Sequence, residues 1–104
     1  MKYKIINDRY RKNRGGASKI FQINCFICKC EVCTYQKDGP GALKRLYFDR
    51  ILFPEKQDEL LLRDKHDFIC PNCKSVLGSF MIYKLENREA YRLFVGAITK
   101  KLIK

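Results

Sequence analysis

Two Cys-x-x-Cys pairs, Cys25-Phe-Ile-Cys28 and Cys70-Pro-Asn-Cys73, constrain this chain more than any other feature. A pair with this spacing lies on a tight turn, here called a knuckle, that directs both sulfurs toward one point. Two knuckles supply four thiolates, and four thiolates form the closed tetrahedral set that a structural zinc ion prefers. The sequence therefore predicts one structural zinc ion, Zn2+, bound by Cys25, Cys28, Cys70 and Cys73.

A third pair, Cys30-Glu-Val-Cys33, competes for the metal. A lysine follows both Cys28 and Cys73, and this repeat favours the first two pairs as the ligands. Cys30 and Cys33 are then predicted on the outgoing strand as small buried residues. The alternatives are a ligand exchange, or a redox pair that would make the protein a thiol enzyme.

The chain has 104 residues, which is room for one domain whose modest core a metal ion would reinforce. It contains no apolar run long enough to cross a membrane, and its first residues do not resemble a signal peptide. Six cysteines in such a chain indicate a reducing, cytoplasmic location, where thiols bind metal more often than they form disulfides. A secreted disulfide framework is the less favoured alternative.

The two halves of the chain look like copies of one unit. The knuckles are offset by 45 residues, and Arg45-Leu-Tyr-Phe-Asp-Arg-Ile51 aligns with Arg92-Leu-Phe-Val-Gly-Ala-Ile98 at an offset of 47. Each copy would contribute one knuckle. We therefore expect an internal duplication about a pseudo-twofold axis, with zinc at the junction.

The secondary structure is predicted to be mainly β. Runs rich in β-branched, aromatic and aliphatic residues, bounded by turn residues, indicate strands at 32–36, 80–85 and 91–99. The ambiguous segment 43–52 is assigned as a strand from its match to the second copy. Glycines and a proline make 37–41 a turn, which either serves geometry alone or holds a phosphate through its N–H groups.

The predicted fold is a small antiparallel β fold with two knuckles, like a zinc ribbon. Residues 1–19 are expected to be a flexible basic arm, and 20–104 a single zinc-binding β domain. Pro54, early acids and a terminal base predict one short helix at about 55–65. The lone histidine, His66, is expected to be a solvated side chain, with metal binding or general-base catalysis as alternatives. No catalytic residue is predicted.

The formal charge of +11 is unevenly distributed. Residues 1–19 carry seven lysines or arginines against the single acid Asp8, whereas 55–67 is net acidic and 68–104 is basic again. Two basic regions flanking an acidic one indicate a surface for polyanions. The residues predicted to contact phosphates are Arg9, Arg11, Lys12, Arg14, Lys44, Arg45, Lys100 and Lys101.

This charge, without a recognisable groove-reading helix, favours RNA or a ribonucleoprotein over a specific DNA site as the partner. The predicted function is therefore a non-enzymatic zinc-binding module that docks on nucleic acid. One alternative is a protein–protein adaptor whose apolar sheet face binds a partner. A thiol enzyme using Cys30 and Cys33 is the other. No membrane partner is expected.

The segment Phe68-Ile-Cys-Pro-Asn-Cys-Lys-Ser-Val-Leu-Gly78, with the aromatic run that follows it, resembles the second half of Yippee-type domains. The resemblance implies a β-tent, in which zinc pins two antiparallel sheets together. It assigns Cys70 and Cys73 to the metal, with Cys25 and Cys28 opposite. The architecture also resembles B-type methionine sulfoxide reductases. Those enzymes need a reactive cysteine late in the chain, and none follows Cys73 here.

Overall fold

The computed structural model describes residues 5–53 and 67–103 of the chain. The predicted helix at 55–65 and His66 lie outside these residues. The described part is mainly β, as predicted, and contains one short α-helix and one 3-10 turn at Phe48–Arg50. Its elements are α1 (Arg9–Asn13), β1 (Ser18–Cys25), β2 (Glu31–Asp38), β3 (Arg45–Tyr47), β4 (Ile51–Phe53), β5 (Phe68–Ile69), β6 (Val76–Tyr83), β7 (Arg88–Leu93) and β8 (Ile98–Leu102).

The strands form two four-stranded antiparallel sheets. The first sheet has the order β4-β2-β1-β8, and the second has the order β3-β7-β6-β5. Each sheet contains one hairpin closed by a knuckle, β1–β2 in the first and β5–β6 in the second. The halves of the chain also exchange strands, because β3 joins the second sheet and β8 joins the first. No helix in the described residues is long and apolar enough to span a membrane.

The two halves are alike in their knuckle hairpins and in the strand next to each hairpin, since β4 pairs with β2 as β7 pairs with β6. The segments starting at Arg45 and Arg92 were expected at equivalent places in two copies. Instead they are adjacent in one sheet, where Arg45 pairs with Arg92 across β3 and β7. The predicted strand 43–52 is interrupted by the 3-10 turn, and 91–99 is interrupted by a turn at Val95 and Gly96, so each divides between the two sheets.

The hydrophobic core joins residues from both sheets. Phe68 and Tyr91 stack with their ring centroids 4.8 Å apart, and Phe48 packs on Tyr91 at 4.9 Å. The buried Tyr35 hydroxyl accepts a hydrogen bond from the Tyr47 N–H at 2.9 Å, which links β2 to β3. Each buried aliphatic or aromatic side chain contributes about 1.5–3 kcal/mol.

The described residues before β1 make polar contacts with the sheets. Asp8 caps α1 by accepting hydrogen bonds from the N–H groups of Tyr10 and Arg11. Arg14 forms an ion pair with Glu86 at 2.8 Å. Residues of this segment are thus joined to the sheets by hydrogen bonds and ion pairs. These contacts join residues that are far apart in the sequence, so no local sequence pattern predicts them.

Candidate metal centre and basic surface

The two knuckles have the same backbone geometry. In each, the N–H of the first cysteine donates to the carbonyl five residues later, at 3.0 Å in the first knuckle and 2.9 Å in the second. The lysine after each second cysteine, Lys29 or Lys74, donates its N–H to the carbonyl of the first cysteine at 3.0 Å. These lysines have φ of 67° and 68°, a conformation unusual for a residue other than glycine. The repeated lysine therefore marks a repeated turn.

The knuckles bring four sulfurs together from the two sheets. The Sγ atoms of Cys25, Cys28, Cys70 and Cys73 all lie within 4.8 Å of one another. Cys25 and Cys73 are separated by 3.6 Å between sulfurs, as are Cys28 and Cys70. Four thiolates at about 2.3 Å from a tetrahedral zinc ion would lie about 3.8 Å apart. The arrangement fits a metal ion.

Polar neighbours of the cluster favour the thiolate form that metal binding needs. The Asn72 side chain hydrogen-bonds the Cys28 thiol and, with a backbone group of Cys30, lowers its pKa to about 6. Hydrogen bonds from the side chain and backbone of Ser75 lower the pKa of Cys73. Burial instead raises the pKa of Cys70.

A closed set of four protein thiolates leaves no open coordination position, so a metal bound here would be structural.

No protein-family model, curated protein or solved structure matches this chain. The chemistry of the donor set and the identical turns are the observations that favour a metal centre.

Cys30 and Cys33 do not belong to the group of four. Cys33 lies on β2 and is fully buried, as predicted, and burial raises its pKa. Cys30 precedes β2 and is exposed, contrary to the prediction of a buried residue. Hydrogen bonding to Cys28 raises its pKa. None of the six cysteines forms a disulfide.

The basic residues predicted on the N-terminal segment are largely engaged in local contacts. Both terminal nitrogens of Arg14 bind the Glu86 carboxylate at 2.8 Å. The Arg11 side chain donates to the Ser18 hydroxyl, and Arg9 lies over the ring of Tyr10. Lys12 is exposed on α1.

Three depressions, two of which border the loop Gly39–Gly41, are lined by further basic residues. The lysine pocket, of about 730 Å³, is lined on its basic side by Lys19, Lys37 and Lys100. The arginine groove, of about 680 Å³, is lined by Lys44, Arg45 and Arg92 together with Ser79, Phe80, Met81, Leu93 and Val95.

A smaller cleft of about 180 Å³ connects these two depressions. It shares Lys37 and Pro40 with the lysine pocket, and Lys44 and Arg45 with the arginine groove. The three depressions together are called the basic track below. Lys101 follows Lys100 on β8, and because neighbouring side chains on a strand alternate between faces, it projects away from the lysine pocket.

Basic residues are cross-strand partners at two places along this track. Lys19 pairs with Lys37 across β1 and β2, and Arg45 pairs with Arg92 across β3 and β7. Such pairs are destabilising. Between residues that the structure describes, no ion pair involves a basic residue of the lysine pocket or the arginine groove other than Arg14.

Sequence reasoning missed Lys19, Lys37 and Arg92. Counting outward from the hydrogen-bonded pair Cys25 and Cys30 would place Gln36 opposite Lys19, and an irregularity of the register at Ile23 and Asn24 brings Lys37 there instead. Arg92 had no sequence signal either, because its partner strand β3 comes from the other half of the chain.

Two buried arginines, also missed, form a network with acids. Arg50 binds Asp8 and Asp38 at 2.6 and 2.8 Å, and Arg88 binds Asp49 and Glu86 at 2.6 and 3.0 Å. Burial of a guanidinium group costs free energy unless a carboxylate pairs with it. These arginines, which also line the connecting cleft, are therefore neutralised within the fold. The lysines of the lysine pocket and the basic residues of the arginine groove have no ion-pair partner among the described residues.

Proposed function

We propose that the protein is a zinc-stabilised module that docks on RNA, free or within a ribonucleoprotein, through the basic track. The single observation that carries the proposal is the register that makes like charges cross-strand partners twice, Lys19 with Lys37 and Arg45 with Arg92. Each such pair reduces stability by a few tenths of a kcal/mol or more. A polyanion that contacts both sides of each pair reverses this effect.

Zinc would act as the structural element of the module. One knuckle comes from each sheet, so a bound ion joins the two hairpins that support the track. This is also what the resemblance to Yippee-type domains implies. The two antiparallel sheets and the four-sulfur cluster support a β-tent arrangement.

Single-stranded RNA suits the track better than a DNA duplex. Within the described residues the only α-helix is α1, whose five residues are too few to read several bases in a major groove. Unpaired bases instead stack on aromatic side chains or arginine planes. The arginine groove provides both, since Phe80 lines it and the Arg45 guanidinium lies 4.5 Å from the centre of the Tyr83 ring.

The test is salt-dependent binding of a fluorescent single-stranded RNA to the zinc-loaded full chain. Affinity should fall steeply with salt, with a log–log slope of about −0.7 for each phosphate contact. Arg45→Gln with Arg92→Gln should weaken binding and flatten the slope. The matched control is Lys12→Gln with Lys101→Gln, which removes two exposed charges that lie off the track.

The proposal predicts that only the track variant loses affinity. Equal losses of RNA affinity in both double variants would mean that binding depends on the total charge of the protein and not on the basic track. An absence of RNA binding by the full chain at low salt would overturn the proposed function.

A protein adaptor is the second candidate, and exposed apolar residues beside the knuckles favour it. Phe26 and Ile27 lie in the first knuckle and are 52% and 68% exposed, and Ile69 and Val76 flank the second at 41% and 45%. Capture of a partner from nuclease-treated extract by the wild type, and its loss with Ile27→Asp, would support this function.

A further inference from the structure

We propose that the lysine pocket is a specific site for a phosphate monoester, and that its ligand is the 5′-terminal phosphate of an RNA strand. The choice of an RNA end rests on the proposed function. The preference of the pocket for a doubly charged phosphate over a phosphodiester rests on the pocket alone.

The pocket lies at the end of the first sheet that is remote from the cysteines. Lys19, Phe21 and Cys25 share one face of β1, because side chains alternate along a strand. Six residues of strand separate Lys19 from Cys25, which is about 20 Å. The metal would thus close one end of this face and leave the lysines at the other.

Three strands direct an ammonium group to the pocket. Lys19 and Lys37 are cross-strand partners on β1 and β2, and Lys100 comes from β8 on the other side of β1. The Lys100 Nζ lies 5.4 Å from the ring centre of Phe21, which is nearly buried and lines the pocket. The Lys37 Nζ donates to the Gly39 carbonyl at 2.7 Å, so its position is fixed and two of its protons remain for a ligand.

The glycine loop forms a wall that is held in place. The Gly39 N–H donates to the Ala17 carbonyl at 2.7 Å. Gly39 has a φ of 77°, and a Cβ there would come within 2.9 Å of the Arg14 backbone oxygen. Only glycine therefore allows this close packing of the loop. At Gly41 a Cβ would meet nothing within 4 Å, so the loop leaves open space.

The charges in the pocket match a dianion. No carboxylate is among the described residues that line it, and its fourth base, Arg14, is already paired with Glu86. Burial, followed by the nearby Lys100 and Lys19 ammonium groups, lowers the pKa of Lys37. An internal phosphodiester carries one charge, whereas a terminal phosphate carries about −1.5 to −2 at pH 7 and offers three acceptor oxygens. Three ammonium groups therefore suit the terminal group better.

The neighbouring cleft explains why the monoester would belong to a strand. It leads from Lys37 past Asp38, whose carboxylate is paired with Arg50, to Lys44 and Arg45, where further phosphates of the same chain would be held. A phosphorylated protein segment offers the same terminal group. It lacks the regular series of anions that this continuation accommodates.

The experiment compares one single-stranded RNA with either a 5′-phosphate or a 5′-hydroxyl, using the zinc-loaded full chain. The 5′-phosphate should tighten binding by about tenfold, the effect of one or two charged hydrogen bonds. Lys37→Gln and Lys100→Gln should each abolish this preference, and should weaken binding of the 5′-hydroxyl strand only by the smaller factor that loss of one charge of the basic track causes. Lys101→Gln, next along β8 but on the other face, should keep the preference. Zinc content and thermal unfolding establish that each variant is folded.

Two further ligands, adenosine 5′-monophosphate and a phosphoserine peptide, separate the sources of the phosphate. Equal affinity of the wild type for the two RNA strands would overturn this inference and leave the proposed function standing. Binding of the free monophosphate without binding of either strand would support the dianion site and overturn both the RNA end and the proposed function. Tighter binding of the phosphopeptide than of the 5′-phosphate strand would overturn the assignment of an RNA 5′ end as the ligand of the pocket.

Discussion

The buried guanidinium of Arg50 donates to the carboxylate of Asp8, 42 residues earlier in the chain, at 2.6 Å. Asp8 also caps α1, so a single carboxylate both starts the helix and neutralises a charge beneath it. Arg50 has a second partner in Asp38 on β2. Deleting residues 1–19 would therefore remove structural contacts as well as positive charge, and is a poor test of nucleic-acid binding.

Asp8→Asn should lower the free energy of unfolding by about 1–3 kcal/mol, because it removes one charged partner of a buried arginine. Asparagine is as good a helix cap as aspartate, so the cap is kept and the loss reports the ion pair. Denaturant unfolding measures the effect. Asp67→Asn, at an exposed acid, is the control and should change stability little. Equal stability of Asp8→Asn and wild type would show that Asp38 alone satisfies Arg50.

The Asp8 contribution should disappear in acid. Its hydrogen bond with Arg50 lowers the pKa of Asp8 from 3.8 to about 2. Because the folded-state pKa lies below the unfolded one, the stabilisation is fully present above about pH 4 and is lost as the pH falls toward 2. The stability difference between wild type and Asp8→Asn should therefore narrow across that range. A difference that stays constant down to pH 2 would contradict the assigned pair.

Replacing any of Cys25, Cys28, Cys70 or Cys73 by serine should remove the metal and largely unfold the protein. Binding of structural zinc is worth on the order of 10 kcal/mol, comparable with the stability of a whole domain. Mass spectrometry under native conditions should find one zinc per chain in the wild type.

Cys30→Ser and Cys33→Ala are the matched controls for the metal ligands. Both should retain zinc, since neither sulfur belongs to the cluster. Alanine is chosen at the buried Cys33 because it adds no hydroxyl to the core. Loss of zinc from either control would mean that the ligand set is wrong.

Tyr91→Phe should leave stability unchanged or raise it by about 1 kcal/mol. Among the described residues, the buried Tyr91 hydroxyl has no hydrogen-bond partner, and burying such a group is costly. Tyr35→Phe is the matched comparison, because it removes the acceptor of the Tyr47 N–H and should cost about 1–2 kcal/mol. Chemical unfolding of both variants checks the pair. Similar losses in the two would reveal a partner for the Tyr91 hydroxyl.

Arg92→Gln should raise stability slightly, by about 0.5 kcal/mol, while weakening RNA binding. It removes one side of the like-charge pair with Arg45, which lowers the repulsion, and it also removes a charge of the arginine groove. Arg88→Gln, four residues earlier on β7, should instead destabilise, because Arg88 is buried and paired with Asp49. Thermal unfolding and RNA titration of both variants decide this. A lower stability of Arg92→Gln than of the wild type would contradict the proposed repulsion between Arg45 and Arg92.

The sequence by itself determined the features that depend on short spacing. Two cysteines three positions apart, followed by a lysine in a left-handed conformation, define each knuckle locally, so the four-cysteine cluster and the mainly β character were predictable. The hairpins around the knuckles follow from the same local geometry.

Only the tertiary structure decided how the rest of the chain is shared between the sheets. β3 and β8 cross to the sheet of the other half, which no local pattern specifies and which makes the segments that start at Arg45 and Arg92 neighbours instead of equivalents. The same folding buries Arg50 against Asp8 and places Arg92 beside Arg45. A charge on a sequence has no fixed role, because whether it is neutralised or left for a ligand depends on which distant residues the fold brings within a few ångströms.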